Sequence, residues 1–358
     1  MKNKLDKLEA IRGIAAIYVV FHHSFFSENF SLFGHNLSFL FKFGQEAVIL
    51  FFLMSGFVIG YSFELSKDKS FWSYFQKRFY RIFIPLGIVM ATQYAIISIQ
   101  SGFFIYPRWL ELAGNILMLQ DVAALKPNVI CSPYLGNTPL WSLSYEWWFY
   151  MLFYLFYKLF PKVRFLESFV AILVIVSAAS YIWYPFFLNR LFMYYGIWWT
   201  GVELAKSYLN NKSVRIKDLK LSTLTLAVTI IILSFNCYLH KDKITTIGVS
   251  PFLELRHFGF TLAALFIAIL WQKLNWKYFD QILGRFALFA PFSYVLYISH
   301  YFLVAKANYL DFIGNKYLAF FIYLGVAFIY SYLVETVIFP RLRNMLMKRK
   351  PILVPAKA

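Results

Sequence analysis

The sequence predicts an all-α fold, a polytopic membrane bundle of about ten transmembrane helices in which residues 1–358 form a single integral-membrane domain. Three observations predict it. Hydrophobic residues make up 60% of the 358 and aromatic residues 22%, with a mean hydropathy of +0.60. A soluble domain sits near 45–50% apolar. Apolar runs long enough to cross a bilayer recur along the whole chain. The basic residues are also sorted by side. With ten spans and an inner N-terminus, 25 Lys and Arg fall on inner segments and nine on outer ones. That bias places both termini in the cytoplasm. The net charge of +18 therefore sets topology, and no nucleic-acid partner is needed to account for it.

The ten expected spans are 8–26, 44–63, 82–101, 139–160, 166–184, 188–206, 219–239, 256–274, 286–306 and 315–340. The first is no cleavable signal peptide, because Arg12 and two histidines interrupt it and no small-residue cleavage site follows. Ionisable groups at membrane depth are costly and usually face a protein interior or a wet cavity. Eleven residues return a helix to within about 20° of its starting face, so Arg12 and His23 share one face roughly 16 Å apart. His22 points about 80° away, so the adjacent histidines are not equivalent. This spacing suits one long ligand, with its anionic end on Arg12 and its reacting end at His23.

Residues 27–43 form an outer loop with Ser27, Glu28, Asn29 and Asn36. In the second span Ser55-Gly56 allows close helix approach, while Glu46 at its outer end reads as solvated. Arg78 and Arg81, three apart before Pro85, fall on one helix face at the inner surface. Two guanidinium forks there suit the phosphates of a cofactor. The segment 102–138 is the longest outside the spans. It contains WLELAGNILMLQD, read as a half-buried or re-entrant helix, and ends in Asn137-Thr138-Pro139, a polar cap with proline in the first turn. Glu146 lies roughly 10 Å below the outer end of the fourth span. That is near the level expected of His23, where a carboxylate can orient an imidazole. His240 and His257 read as outer-surface residues, and Ser293, Tyr297, Ser299 and His300 fall within the ninth span. Cys131 and Cys237 read as two unpaired thiols. No metal-ligand spacing and no glycine-rich phosphate loop are found.

Five stretches, in order, resemble the acyltransferase-3 family of membrane acyltransferases. Arg12 and His23 match its hallmark of a basic residue, ten residues, then His; FFLMSGFVI at 51–59 matches its FFxxSGF motif. KRFYRIFIP at 77–85 is similar to its arginine motif, PLWSLSYEWWFY at 139–150 to its Trp–Ser–Glu motif, and FSYVLYISH at 292–300 to its SYxxYxxH stretch. One departure is Ile49, where many members carry an acid before LFF.

The resemblance implies a ten-helix enzyme of the bacterial inner membrane. It implies cytoplasmic acyl-CoA, usually acetyl-CoA, as co-substrate, with an essential His in the first span. The acceptor would be a hydroxyl of a glycan or lipid-linked glycan at the cell surface. On this reading His23 and Glu146 are catalytic, and Arg12, Arg78 and Arg81 hold the CoA phosphates. Ser142, Ser144, Tyr297 and His300 line the acceptor path. Many members also carry an extracytoplasmic hydrolase-like domain, and none is expected after the last helix here. The competing class is a transporter or flippase of a lipid-linked saccharide, which predicts internal repeats that the sequence lacks.

Overall fold

The computed structural model describes residues 4–25, 31–32, 35–243 and 246–348. Lys2, Ser27, Glu28, Asn29, Arg349, Lys350 and Lys357 lie outside the described residues. The chain is a helical bundle. Its long helices are α1 (Lys4–Phe25), α2 (Gly44–Glu64) and α3 (Phe71–Ser101), then after the short α4 (Trp109–Ile116), α5 (Trp141–Leu159) and α6 (Val163–Trp183). They continue with α7 (Phe187–Asn211), α8 (Lys220–Leu239) and α9 (Phe252–Lys273), and after the one-turn α10 (Phe279–Ile282) come α11 (Ser293–His300), α12 (Lys316–Tyr332) and α13 (Phe339–Lys348). Among the described residues the strands are a two-residue antiparallel pair, Ser31–Leu32 against His35–Asn36.

Among the described residues, seven helical stretches are long and apolar enough to cross a membrane: Ser38–Glu64, Phe71–Ser101, Arg164–Trp183, Ile216–Leu239, Phe252–Lys273, Gly284–Ala305 and Lys316–Met347. The other three expected spans are α1, α5 and α7, with 22, 19 and 25 residues. They are long enough, but their polar residues lower their hydropathy. Helix α7 shows why that is tolerated: 16 of its 25 residues are buried, Arg190 and Glu203 among them. A helix wrapped by other helices meets protein rather than lipid, so it can carry charge. Helix α3 begins earlier than the expected 82–101, and Pro85 lies inside it rather than before it.

Helix α2 packs along α7 through facing glycines. A methyl added at Gly56 would collide with the Trp198 carbonyl, and one at Gly201 with that of Leu53. The expected close approach at Gly56 is thus seen, with Gly201 as its partner. Overpacking such a contact costs typically about 1–3 kcal/mol, and more when backbone cannot yield. Gly201→Val is therefore expected to lower the melting temperature sharply or prevent folded protein from accumulating. Gly87→Ala, where a methyl meets nothing within 4 Å, should leave both unchanged.

Several outer residues are less exposed than the sequence suggests. Glu46 is buried and ion-paired with Arg256, whose Nε lies 2.9 Å from Oε1, so it is not solvated. His257 is fully buried and bonds Tyr194 Oη at 2.6 Å. Asn137 stands at the N-cap of the 3-10 turn Thr138–Leu140, with Pro139 in its first turn as expected, but its side chain makes no capping bond; its Nδ2 donates to the Ile298 carbonyl at 2.9 Å and braces α11. Residues 109–116 form the short helix expected there, with Asn115 its one buried residue. Cys131 and Cys237 are both free thiols.

Candidate active site

A cavity of about 1090 Å³ opens where α1 and α3 begin and ends beside the start of α5. Arg12, Arg78 and Arg81 all line it, as do Glu146, Ser142 and Tyr297. These helices run in alternating directions, so Ser70 and Lys77 mark one end of the bundle and Ser142 the other. The mouth is polar and exposed, while the floor is formed by buried Phe52, Leu143, Ser142 and Tyr297. At the mouth, the Ser70 backbone N–H and the Ser70 and Ser73 hydroxyls hold the Asp68 carboxyl below the usual carboxylate range.

The three arginines differ in their partners. Arg12 makes no hydrogen bond or ion pair among the described residues. Arg78 donates to the Ser62 hydroxyl at 3.2 Å and lies over the Tyr74 ring, while its buried Nε has no partner. Arg81 is ion-paired with Glu335, a buried acid in the π-helical segment Leu333–Ile338. Unpaired guanidinium groups facing a cavity fit an anionic ligand, because each presents a planar fork to phosphate oxygens.

Glu146 does not reach His23. Its Oε1 accepts from the Ser55 hydroxyl at 2.9 Å and from Tyr150, and the Ser55 hydroxyl also accepts from Trp198 Nε1 at 3.2 Å. Arg12 and Glu146 share the middle of the cavity, while His23 lies beyond its floor at the far end of α1. The sequence places both near one depth but cannot set which way α5 turns its acid.

The partner of His23 is His300. Their ring centroids are 5.0 Å apart, and His300 Nε2 lies 3.0 Å from His23 Nδ1. The backbone fixes the tautomers. His300 Nδ1 faces the Tyr297 carbonyl at 2.7 Å and that of Leu296 at 3.2 Å, so it must carry the proton and donate. Its Nε2 is then an acceptor, and His23 Nδ1–H donates to it and to the Val19 carbonyl at 3.1 Å. This leaves the lone pair of His23 on Nε2. His22 instead donates from Nδ1 to the Phe41 carbonyl and rests against Gly44. The inequivalence of the two histidines is thus seen directly.

Tyr297 separates the cavity from this pair. Its hydroxyl donates to the Pro139 carbonyl at 2.9 Å and lies 2.9 Å from Ser142 Oγ. Its ring is 6.1 Å from that of His300, one helical turn further on. Ser144 is elsewhere: its buried hydroxyl donates to the Gln120 and Trp141 carbonyls at 2.8 and 2.7 Å, and it does not line the cavity. It fastens the 117–137 segment to α5, because a Ser two residues from Ser142 points to another helix face.

Sequence reasoning missed Glu335, although an acid within an apolar run is a recognisable signal. Arg343 and Asn344, beyond the last expected span, also line the cavity mouth.

Residues 5–336 match the family described as an acyltransferase domain. The chain belongs to the acyltransferase-3 family. It is also similar to acyltransferase MdmB of Streptomyces mycarofaciens, 32% identical over 168 residues. That match covers 45% of this chain and 41% of the relative's length. No solved structure matches the chain. Family membership embraces every residue of the arginine cluster at 12, 78 and 81 and of the histidine pair, and it ends before α13.

Proposed function

We propose that this chain is a membrane O-acyltransferase that moves an acyl group, acetyl in the first instance, from cytoplasmic acyl-CoA to a hydroxyl of a cell-surface or periplasmic glycan. The observation that carries this reading is one cavity with Arg78 and Arg81 toward its open end, Arg12 deeper within it, and the His23–His300 pair just past its closed end. The bundle would span a bacterial inner membrane ten times, with both termini in the cytoplasm, as the distribution of basic residues supports. Family membership favours acyl transfer over saccharide flipping.

The donor's diphosphate binds Arg78 and Arg12, with Arg81 beside them. The pantetheine arm passes Glu146, whose carboxylate accepts an amide N–H. The thioester reaches Ser142 and Tyr297, and rotation of Tyr297 off the Pro139 carbonyl joins it to the histidine pair. An acceptor hydroxyl approaches from the opposite side. Its proton goes to His23 Nε2 as its oxygen bonds the acyl carbon; the C–S bond breaks and the thiolate takes the proton. His300 holds the ring in place and accepts from its Nδ1–H throughout. Transient acylation of His23 would use the same Nε2 lone pair. A thioester is already activated, so positioning and proton transfer can supply the rate.

Mass spectrometry of surface glycans tests the reading, in a deletion strain complemented with wild type or with His23→Ala at equal membrane levels. O-acyl groups should be present with wild type and missing with the variant. Unchanged acylation in the variant would refute the mechanism, and loss of whole glycans on deletion would point to the flippase class. A second expectation separates the two roles considered for Glu146. Glu146→Gln should raise the KM for acyl-CoA about ten- to a hundredfold, the scale of one hydrogen bond to a charged group, with kcat nearly kept. A fall in kcat at constant KM would return Glu146 to the imidazole.

A further inference from the structure

Helix α13 lies beyond residues 5–336, the part that matches the family. It packs against α3, and Phe339, Arg343, Asn344 and Met347 form one wall of the cavity mouth. The Phe339 ring is near two guanidinium groups, with Arg81 at 5.9 Å and Arg343 at 5.8 Å. Arg343 thus extends the row begun by Arg78 and Arg81 outward to the rim. It ion-pairs with no carboxylate among the described residues, and its Nη2 lies 3.5 Å from Asn344 Oδ1. Lys77 lines the same mouth. The acid there, Asp68, accepts from the Ser70 N–H at 2.9 Å and so caps its own loop.

We infer that Arg343, seconded by Asn344 and Lys77, binds the phosphate monoester on the ribose of the nucleotide end of the donor, so that α13 selects nucleotide-bearing CoA thioesters over phosphopantetheine thioesters on carrier proteins. The inference rests on the donor reading above and extends it. A CoA thioester carries a diphosphate near the pantetheine arm and a monoester at the end farthest from the sulfur. Together they bring a charge of roughly −4 at neutral pH. The inner arginines serve the diphosphate. The remaining cation group stands at the rim, farthest from Ser142 and Tyr297, where the monoester would lie.

The experiment is a calorimetric titration of the full chain in lipid-free detergent with acetyl-CoA and with acetyl-3′-dephospho-CoA. Wild type should bind acetyl-CoA about tenfold more tightly, the scale of one charge-assisted phosphate contact. Arg343→Ala should bind acetyl-CoA as weakly as the dephospho form, with affinity for the latter unchanged. That unchanged affinity also shows the variant is folded. Arg343→Lys should recover part of the preference. Equal weakening toward both ligands, or an undiminished preference in Arg343→Ala, would overturn the assignment. Binding of neither ligand by folded wild type would instead remove the donor reading beneath it. An anionic lipid headgroup offers the same phosphate chemistry, so the titration is repeated in nanodiscs containing phosphatidylglycerol. Loss of the preference there would assign Arg343 to lipid.

Discussion

His23→Ala should lower the rate of acyl transfer by about a thousandfold or more while leaving acyl-CoA binding intact. Positioned proton transfer alone contributes roughly 10²–10⁴-fold, and the hydrogen-bond chain leaves a lone pair on His23 Nε2 to perform it. Helix α1 should survive the change, because its buried face is made by Ala15, Ala16, Val19 and Val20. The same reasoning separates His300 as a positioning group. His300→Leu removes the acceptor for His23 Nδ1–H and should cost about a hundredfold in kcat, whereas His300→Gln keeps an acceptor oxygen and should recover part of it. Single-turnover transfer from radiolabelled acetyl-CoA measures both. Equal loss in the Leu and Gln variants would mean that His300 serves packing alone, and full activity in His23→Ala would remove the base.

The second large effect is on donor affinity. Arg12→Ala combined with Arg78→Ala should weaken acyl-CoA binding about a hundredfold, each guanidinium–phosphate contact being worth roughly tenfold. Neither residue has a carboxylate partner among the described residues, so little else should change. Arg81 behaves differently. Its loss leaves the buried Glu335 carboxylate without its cation, though still accepting from the Val295 N–H at 2.8 Å, and because Arg81 is itself 40% exposed the cost is about 1.5–3 kcal/mol, that of a charged hydrogen bond. Arg81→Ala should therefore show as a lower melting temperature, relieved when Glu335→Gln is added, since the stranded charge is then gone. Calorimetric affinity together with thermal unfolding tells these cases apart. Unaltered acyl-CoA affinity in the Arg12 and Arg78 double variant would place the donor elsewhere.

The sequence shows much of this and hides the rest for identifiable reasons. Helical periodicity puts Arg12 and His23 on one face, and the structure has Arg12 lining the cavity with Tyr294 and Tyr297 of α11 while His23 meets His300 at the end of that helix. Spacing likewise puts Arg78 and Arg81 together. Pairings between distant helices are another matter, since they depend on rotations that no local pattern records. Glu146 turns to Ser55 and Tyr150, and Glu46 turns to Arg256. Two π-helical segments follow or contain site residues. One directly follows His300, and the other carries Glu335 toward Arg81. Such insertions often mark functional positions, yet Tyr301–Ala305 reads in sequence as ordinary helix. Hydropathy singles out seven of the ten expected spans, and the three it passes over, α1, α5 and α7, are the ones that carry Arg12, His23, Glu146 and Arg190.

That last feature bears on how the protein is made. On the proposed topology, the helices holding Arg12, His23, Glu146 and Arg190 would partition weakly into lipid one at a time, because ionisable residues within a span oppose insertion, an arginine by about 2.5–3.5 kcal/mol at the helix centre and less toward its ends. Their residence in the bilayer must come from neighbours, α2 against α7 and α11 against α1. Helix α1 leaves the ribosome before the helices it packs against, and the partner of His23, His300, is synthesised 277 residues later. Biogenesis is thus a waiting problem: a chain cut short before α11 would expose an unescorted arginine and histidine at membrane depth. It should be a preferred target of membrane quality-control proteases.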